Sequence, residues 1–162
     1  MSMTEKSFET KLGTIKYWIS DTGAKDAPEL VFLPGLTADH RLFEKQTEYF
    51  EGKYRMFVWD APGHADSYPF QLTFTMEDKV RMLDEILKAE GFDDPVIVGQ
   101  SMGGYLGQMY EDVFPEKLKG LFIIDSSVGE KARGVLVFDK QGNYLREIGQ
   151  AGEGMNDFHV KP

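Results

Sequence analysis

The sequence predicts an α/β fold built around a doubly wound, mostly parallel sheet. Short apolar runs rich in β-branched residues alternate with stretches of helical periodicity, which is typical of a parallel sheet covered by helices on both faces. A Gly-x-Ser-x-Gly turn at residues 99–103 stands between one of these strands and a helix. With 162 residues, of which 41% are hydrophobic, the chain is long enough for one domain with a substantial core.

The first third of the chain carries mainly strand signals. We predict a strand pair at residues 8–12 and 14–20, and a further strand at residues 29–33. The run Leu-Val-Phe-Leu within that third strand has no polar alternation, which is typical of a strand buried on both faces. A helix is expected over residues 42–50, followed by a strand over residues 54–59.

The segment over residues 76–90 has the pattern of an amphipathic helix. One stripe holds its apolar side chains, which are Val80, Met82, Leu83, Ile86 and Leu87. The charged side chains are expected to lie mostly in solvent, namely Glu77, Asp78, Lys79, Arg81, Glu85 and Lys88. Gly91 is the predicted end of the helix, because glycine readily adopts the left-handed conformation that closes one. A further strand is expected at residues 118–125.

The turn at residues 99–103 is the most informative local feature. The apolar run at residues 95–98 leads into it, and apolar residues at helical spacing follow it. So tight a turn forces Ser101 at its centre into a strained backbone conformation, and Gly99 and Gly103 leave room where larger side chains would collide. The helix that begins here would present its N-terminus to the serine, a placement that favours developing negative charge.

Taken in order over about residues 6–127, these elements resemble the N-terminal, nucleophile-bearing half of an α/β-hydrolase. The sequence Pro-Gly-Leu at residues 34–36 follows a strand, as in that family. The loop Asp-Ala-Pro-Gly-His-Ala-Asp-Ser at residues 60–67 is similar to the family's Asp-x-x-Gly-x-Gly-x-Ser loop, with Ala65 in place of its second glycine. The resemblance covers most of the chain.

The resemblance implies a serine hydrolase of the carboxylesterase-like kind, which transfers an acyl group to water through an acyl-serine. Ser101 takes the position of the nucleophile in this family. The backbone N–H groups of Leu36 and Met102 take the positions of the oxyanion-hole donors. Pro34 replaces the histidine that the family usually has in this loop, and a backbone donor survives that change. The implied partner is a small-molecule ester or acyl substrate.

The acid and the base of a catalytic triad are harder to assign. Asp125 and His159 are the pair that preserves the family's chain order of serine, acid and histidine. The alternative is that Asp125 only ends its strand and that His159 lies in a tail. The other two histidines, His40 and His64, are also considered for a catalytic role. The alternative for His40 is a surface or substrate-facing residue, and the alternative for His64 is a structural residue. Asp60 is interpreted as a turn residue.

The residues after position 127 differ from the second half of an α/β-hydrolase. Two strand-like runs, at residues 135–139 and 144–149, are separated by a polar turn that contains glycine, which predicts an antiparallel hairpin. The segment over about residues 133–162 resembles a single repeat of an NHL-type β-propeller. One such repeat cannot close a propeller by itself. We therefore expect a truncated hydrolase fold followed by a hairpin segment.

This organisation divides the chain into a core at residues 1–127, a junction at residues 128–134 and a tail at residues 135–162. We expect few contacts between core and tail, and a tail that does not extend the parallel sheet. Three interpretations of function follow: an acyl-ester hydrolase, a catalytically incomplete fragment or fusion, and a non-enzymatic binding module that includes a propeller repeat. Because serine without a base is a poor nucleophile, we expect weak or absent hydrolysis of p-nitrophenyl acetate.

Composition narrows the classes of partner. A net charge of -9 argues against nucleic acid or an anionic membrane surface as the main partner. No apolar run approaches the ~20 residues that span a bilayer, and the first residues lack a signal-peptide pattern, so a cytoplasmic protein is expected. The chain has no cysteine and no metal-binding or phosphate-binding motif, so neither a metal nor a cofactor is expected. The substrate and the oligomeric state are left open.

Overall fold

The computed structural model of the chain describes residues 3–23, 26–124, 135–138, 143–148, 150–151 and 157–158. Its strands are β1 (Thr4–Glu9), β2 (Thr14–Ser20), β3 (Leu30–Leu33), β4 (Met56–Trp59), β5 (Val96–Gln100), β6 (Gly120–Ile124), β7 (Val135–Phe138), β8 (Tyr144–Ile148), β9 (Gln150–Ala151) and β10 (Asp157–Phe158). Its α-helices are α1 (Glu44–Phe50), α2 (Met76–Glu90) and α3 (Met102–Val113). Short 3-10 helices occur at His40–Phe43 and Ala65–Ser67.

Within the described residues, eight strands form one sheet in the order β1-β2-β4-β3-β5-β6-β7-β8. The four central strands, β4, β3, β5 and β6, are parallel to one another. The strands at both edges pair in the antiparallel direction, and β9 pairs with β10 separately. The carboxyl ends of the central strands therefore lie at the same end of the sheet. Ligands bind at this end in open α/β sheets.

Helices pack on both faces of this sheet. On one face, α2 and α3 pack over a core that includes Trp59, Leu83 and Leu106, all fully buried. On the other face, Phe43 and Phe32 belong to a second cluster, against which α1 packs. The predicted doubly wound, mostly parallel α/β fold is confirmed. None of the helices that the structure describes has the length and apolar content needed to cross a membrane.

Helix α2 begins and ends at local signals. The Thr75 side chain accepts the Asp78 N–H at 3.1 Å, and the Asp78 carboxylate accepts the Thr75 N–H at 2.8 Å, which completes a capping box. Gly91 ends the helix with a φ of 72°, in the left-handed region that favours glycine. The predicted helix over residues 76–90 is therefore confirmed at both ends.

Lys79 differs from the prediction for α2. It was expected in solvent, but only 5% of the residue is exposed. Lys79 lies three residues after Met76 and four before Leu83, so the helical period places it on the buried stripe. The prediction was wrong because it followed the charge of the side chain and not its position on the helix.

The first strand also differs from its predicted bounds. β1 spans Thr4–Glu9 and not residues 8–12, because residues 10–13 form the turn of the hairpin. The Thr10 hydroxyl oxygen accepts the N–H groups of Leu12 and Gly13, each at 3.1 Å. A threonine that binds nearby backbone donors in this way competes with strand pairing.

The C-terminal strands β7 and β8 form an antiparallel hairpin, as predicted. The expectation of few contacts between residues 1–127 and 135–162 is wrong, because β7 pairs along β6, with Leu121 opposite Phe138. The pairing is antiparallel, so the hairpin extends the sheet without adding a parallel strand. The junction at residues 128–134 lies outside the described residues, and the division of the chain into core, junction and tail stays a prediction.

Candidate active site

Ser101 occupies a sharp turn between β5 and α3. Its backbone has a φ of 51° and a ψ of -117°, a region that residues other than glycine rarely adopt. Its N–H donates to the Ile124 carbonyl of β6 at 2.9 Å, and its carbonyl accepts the Gly104 N–H at 2.9 Å. The strained serine is thus held by the neighbouring strand on one side and by the first turn of α3 on the other.

Glycines around Ser101 lie where a side chain has no room. A Cβ atom on Gly103 would overlap the Leu33 carbonyl at the end of β3, and one on Gly99 would overlap the Gly103 carbonyl. A Cβ atom on Gly35 would lie 3.1 Å from the Ser101 Cβ. The loop that follows β3 therefore runs directly against the turn that carries the serine.

Two backbone N–H groups near Ser101 have no acceptor among the residues that the structure describes. One belongs to Leu36, which follows Gly35 in the loop after β3, and the other to Met102, the first residue of α3. The first N–H groups of a helix have no partner within the helix, and they give its N-terminus a partial positive charge. Donors of this kind can stabilise an oxygen that becomes negative beside the serine.

Asp60 joins the loop after β3 to the loop after β4. Its buried carboxylate accepts the His40 N–H at 2.8 Å and the Asp66 N–H at 3.1 Å, and it lies 3.0 Å from His40 Nδ1. The His40 ring stacks on Trp18, with 3.6 Å between the ring centres. Asp60 is therefore more than a turn residue. The sequence carried no signal for its pairing with His40, because the two residues lie 20 positions apart.

The side chain of Asp39 closes the same loop. It accepts the Arg41 N–H at 2.9 Å and forms an ion pair with the Arg41 guanidinium. The hydrogen bonds from Arg41 lower the pKa of Asp39 to about 2. The carboxylate therefore stays charged at neutral and mildly acidic pH, and it caps the 3-10 helix that positions His40.

Among the described residues, His40, Asp60 and Asp66 bring a ring nitrogen and carboxylate oxygens within 4.8 Å of one another, a spacing at which a metal could bind. Both oxygens of Asp60 already accept hydrogen bonds within this group. The hydrogen bonds of Asp60 to His40 and Asp66 connect the loop after β3 with the loop after β4, and this connection explains why the three residues lie close together. The grouping therefore gives no reason to assign a metal site.

Replacing Asp60 with asparagine is expected to lower the free energy of unfolding by about 2 kcal/mol. The amide would point an N–H donor at another donor, because both carboxylate oxygens of Asp60 now accept N–H groups. Asp66→Asn is the matched control, since its side chain is exposed and the hydrogen bond from Asp66 to Asp60 comes from the backbone N–H, which the change retains. Urea unfolding of the two variants measures the difference, and equal stability would contradict the role given to Asp60.

The other titratable residues predicted from the sequence lie apart from this arrangement or outside the described residues. His64 Nδ1 lies 3.2 Å from the Pro62 carbonyl oxygen, within its own loop. Asp125 and His159 both lie outside the described residues. The structure thus places Ser101 beside the loop after β3, while the acid and the base stay predictions.

Comparison with known proteins agrees with this geometry. The family described as alpha/beta hydrolase fold matches residues 28–152. The chain belongs to the alpha/beta hydrolase fold family. The match runs from the segment before β3 through the turn at residues 99–103 and past β8, so it includes the C-terminal hairpin. The resemblance of the tail to an NHL-type propeller repeat is therefore not supported, because the alpha/beta hydrolase match accounts for the same strands.

Several proteins are similar to this alpha/beta hydrolase chain. It is 30% identical over 95 residues to the magnesium-chelatase 30 kDa subunit of Rhodobacter capsulatus. This alignment covers 58% of this chain and 34% of that protein. It is 28% identical over 114 residues to 3-oxoadipate enol-lactonase 2 of Acinetobacter baylyi, covering 67% and 41%. The crystal structure of naproxen esterase from Bacillus subtilis aligns with a TM-score of 0.62 at 27% identity, covering 74% and 42%. The chain thus spans less than half the length of each of these proteins.

Proposed function

We propose that this chain carries the nucleophile of a serine hydrolase that cleaves carboxylic esters, with Ser101 as the nucleophile. The observation that carries the proposal is the strained backbone of Ser101, with a φ of 51° at a strand-to-helix turn. Such strain costs about 1–3 kcal/mol and clusters at active sites. In a serine hydrolase of this fold, such a turn holds the serine at the carboxyl ends of the strands, where its hydroxyl can reach the substrate.

In the proposed reaction, the Ser101 hydroxyl oxygen attacks the ester carbonyl carbon while a base takes the hydroxyl proton. The carbonyl oxygen becomes an oxyanion, which the N–H groups of Leu36 and Met102 stabilise. The tetrahedral intermediate expels the alcohol, which takes the proton from the base, and an acyl-serine remains. Water then attacks the acyl-serine in the same way and releases the acid and the free serine.

The chemistry of the relatives supports an ester or lactone as the substrate class. The similar proteins include an esterase and a lactonase by name, and a lactone is a cyclic ester. Asp125 and His159 stay our candidates for acid and base on chain order alone. A cytoplasmic location is also kept as a prediction.

The second candidate is that the chain is catalytically incomplete. It is favoured by one observation, that the chain spans 34% and 41% of the two relatives compared above. Such a chain would hold the nucleophile and the oxyanion donors without the base. The two candidates differ in the rate that they predict for the same serine.

The test is hydrolysis of p-nitrophenyl acetate by the chain and by its Ser101→Ala variant. We expect slow hydrolysis, at most about 10³- to 10⁴-fold above water, which is what oxyanion binding retains in triad-deleted proteases. Because oxyanion binding does not depend on the serine hydroxyl, the nucleophile is identified by mass spectrometry: we expect an acetyl group on Ser101 in the wild type and none in Ser101→Ala. Ser7→Ala is the control, because Ser7 lies exposed in β1 at the far edge of the sheet.

The outcomes separate the candidates. Slow turnover without acetylation of Ser101, or fast turnover that survives in Ser101→Ala, would overturn the assignment of the nucleophile. Fast turnover that Ser101→Ala abolishes would favour a complete triad within this chain, and His159→Ala with Asp125→Asn would then decide the base and the acid. Slow turnover with an acetyl group on Ser101 would favour the incomplete chain.

A further inference from the structure

Lys79 is a buried lysine that has no carboxylate partner in the part of the chain that the structure describes. Its Nζ lies 3.8 Å from the Met102 thioether sulfur and 5.5 Å from the centre of the Phe74 ring. A thioether is a weak acceptor, so neither neighbour replaces the water that an ammonium loses on burial. Burial accordingly lowers the pKa of Lys79.

The ammonium of Lys79 lies beside the side chain of Met102, the residue that follows Ser101. Helix α3 begins directly after β5, and α2 begins after the connection from β4. Both helices therefore start at the end of the sheet where the carboxyl ends of the parallel strands lie. Lys79 lies in the first turn of α2, and the residue that its Nζ contacts, Met102, follows Ser101 in sequence. Two sources of positive potential therefore lie on either side of the Met102 side chain, the ammonium and the N-terminus of α3.

We expect this arrangement to reduce stability, because the contact with the Phe74 ring offsets only part of the cost of burying an ammonium. A methionine at position 79 would place a side chain of similar length among the same apolar neighbours without burying a charge. Side chains that reduce stability are commonly kept where the function needs them. An anion beside Lys79 would supply the counter-charge that the described residues do not.

The overall charge of the chain makes a local cation more significant. With a net charge of -9, the chain repels an anionic substrate at long range. An anionic group that reaches the site therefore needs a positive group close to the position where it binds. Met102 is unbranched, and its side chain can turn aside to let a carboxylate reach the ammonium.

We propose that Lys79 forms a subsite for a carboxylate of the substrate beside the start of α3, so that the chain acts on monoesters or lactones of dicarboxylic acids. This proposal rests on the proposed function, because it takes Ser101 as the group that attacks the ester. Lys79 determines specificity by pairing with the free carboxylate while the ester end of the same molecule meets the serine. The carboxylate replaces the Met102 sulfur as the partner of the ammonium.

The first test compares two substrates with the same six-carbon acyl chain. Mono-4-nitrophenyl adipate ends in a carboxylate, and 4-nitrophenyl hexanoate ends in a methyl group. We expect the chain to prefer the adipate ester about tenfold in kcat/KM, and we expect Lys79→Met to remove that preference. Lys79→Arg is expected to keep part of it, because the charge is retained. Lys45→Met is the control, since Lys45 is exposed on α1, which packs on the other face of the sheet.

The second test does not depend on catalysis. Monomethyl adipate and methyl hexanoate are added to Ser101→Ala, and the shift in Tm is measured with and without the additional Lys79→Met change. We expect adipate to raise Tm more than hexanoate, and only while Lys79 is present. If Ser101 is not the nucleophile, the comparison of hydrolysis rates no longer tests the proposal. The shift in Tm still shows whether Lys79 binds the carboxylate.

Lys79→Met is also expected to raise the Tm of the unliganded chain by about 2–4 °C, because an unpaired charge leaves the interior. Three results would overturn the proposal. One is a preference for the adipate ester that survives in Lys79→Met, and another is the absence of any preference in both arms. The third is a drop in Tm in both Lys79→Met and Lys79→Gln, which would show that the lysine is a structural residue.

Discussion

Replacing Gly103 with alanine is expected to lower the free energy of unfolding by about 3 kcal/mol or more. The added methyl group would overlap the backbone carbonyl of Leu33. Neither side can yield easily, because Leu33 is buried and pairs with Gly99 of β5, and Gly103 lies in the first turn of α3. The whole turn would have to move and would take Ser101 with it. Urea unfolding followed by circular dichroism measures the loss.

Gly120→Ala is the matched control for this change. Gly120 is buried in β6, but a Cβ atom there would meet the Val96 side chain at 3.8 Å, an ordinary contact. We expect its unfolding free energy to stay within about 1 kcal/mol of the wild-type value. If Gly103→Ala and Gly120→Ala destabilised the chain equally, the close approach of β3 to α3 would not be the cause.

Replacing Asp84 with asparagine is expected to lower the free energy of unfolding by about 2–3 kcal/mol. Asp84 is 3% exposed, and one carboxylate oxygen accepts hydrogen bonds from the Tyr110 hydroxyl and the Lys117 ammonium, each at 2.8 Å. The other oxygen pairs with Lys88 at 2.7 Å. An asparagine would keep the shape but turn an amide donor toward an ammonium. Both lysines reach solvent in part, so the loss is smaller than for a fully buried pair.

Glu85→Gln is the control for the charge change, because the neighbouring Glu85 is exposed on the same helix. We expect it to leave the stability within about 0.5 kcal/mol of the wild type, as surface changes usually do. A loss in Glu85→Gln as large as that in Asp84→Asn would show that the net charge of α2 matters, and not the buried contacts. Chemical denaturation of both variants at neutral pH makes this comparison.

The contribution of Asp84 also predicts a pH dependence. Burial alone would raise the pKa of Asp84, but hydrogen bonds from Lys117, Lys88 and Tyr110 outweigh it and lower the pKa below its ordinary value. The unfolded chain then binds the proton more readily, so the stabilisation is present above about pH 4 and is lost as the pH falls through the lower folded pKa. The stability difference between the wild type and Asp84→Asn should therefore hold from neutral pH to about pH 5 and close below about pH 4. A difference that persists unchanged at pH 3 would contradict this assignment.

Features that depend on residues close together in the chain were predictable from the sequence. The ends of α2 follow from Thr75 with Asp78 and from Gly91, each of which acts within one turn. The turn at Ser101 follows from glycines two positions before and after it, because the steric conflict there is almost as local. The central strands follow from unbroken apolar runs, which only a sheet covered on both faces can bury.

Only the tertiary structure decided which distant residues meet. The antiparallel pairing of β7 with β6 depends on how the chain returns to the sheet, and the pattern of a hairpin is the same whether or not it has a neighbour. The link from Asp60 to His40 joins two loops that are brought together by the adjacent strands β3 and β4. Lys79 combines both kinds of information. Its position on the helix indicates burial, although its charge led to the wrong prediction, whereas the absence of a counter-charge beside it, among the described residues, depends on what α3 places there. Sequence spacing determines which face a side chain takes, but the energy of a buried charge depends on the neighbours that folding brings to it.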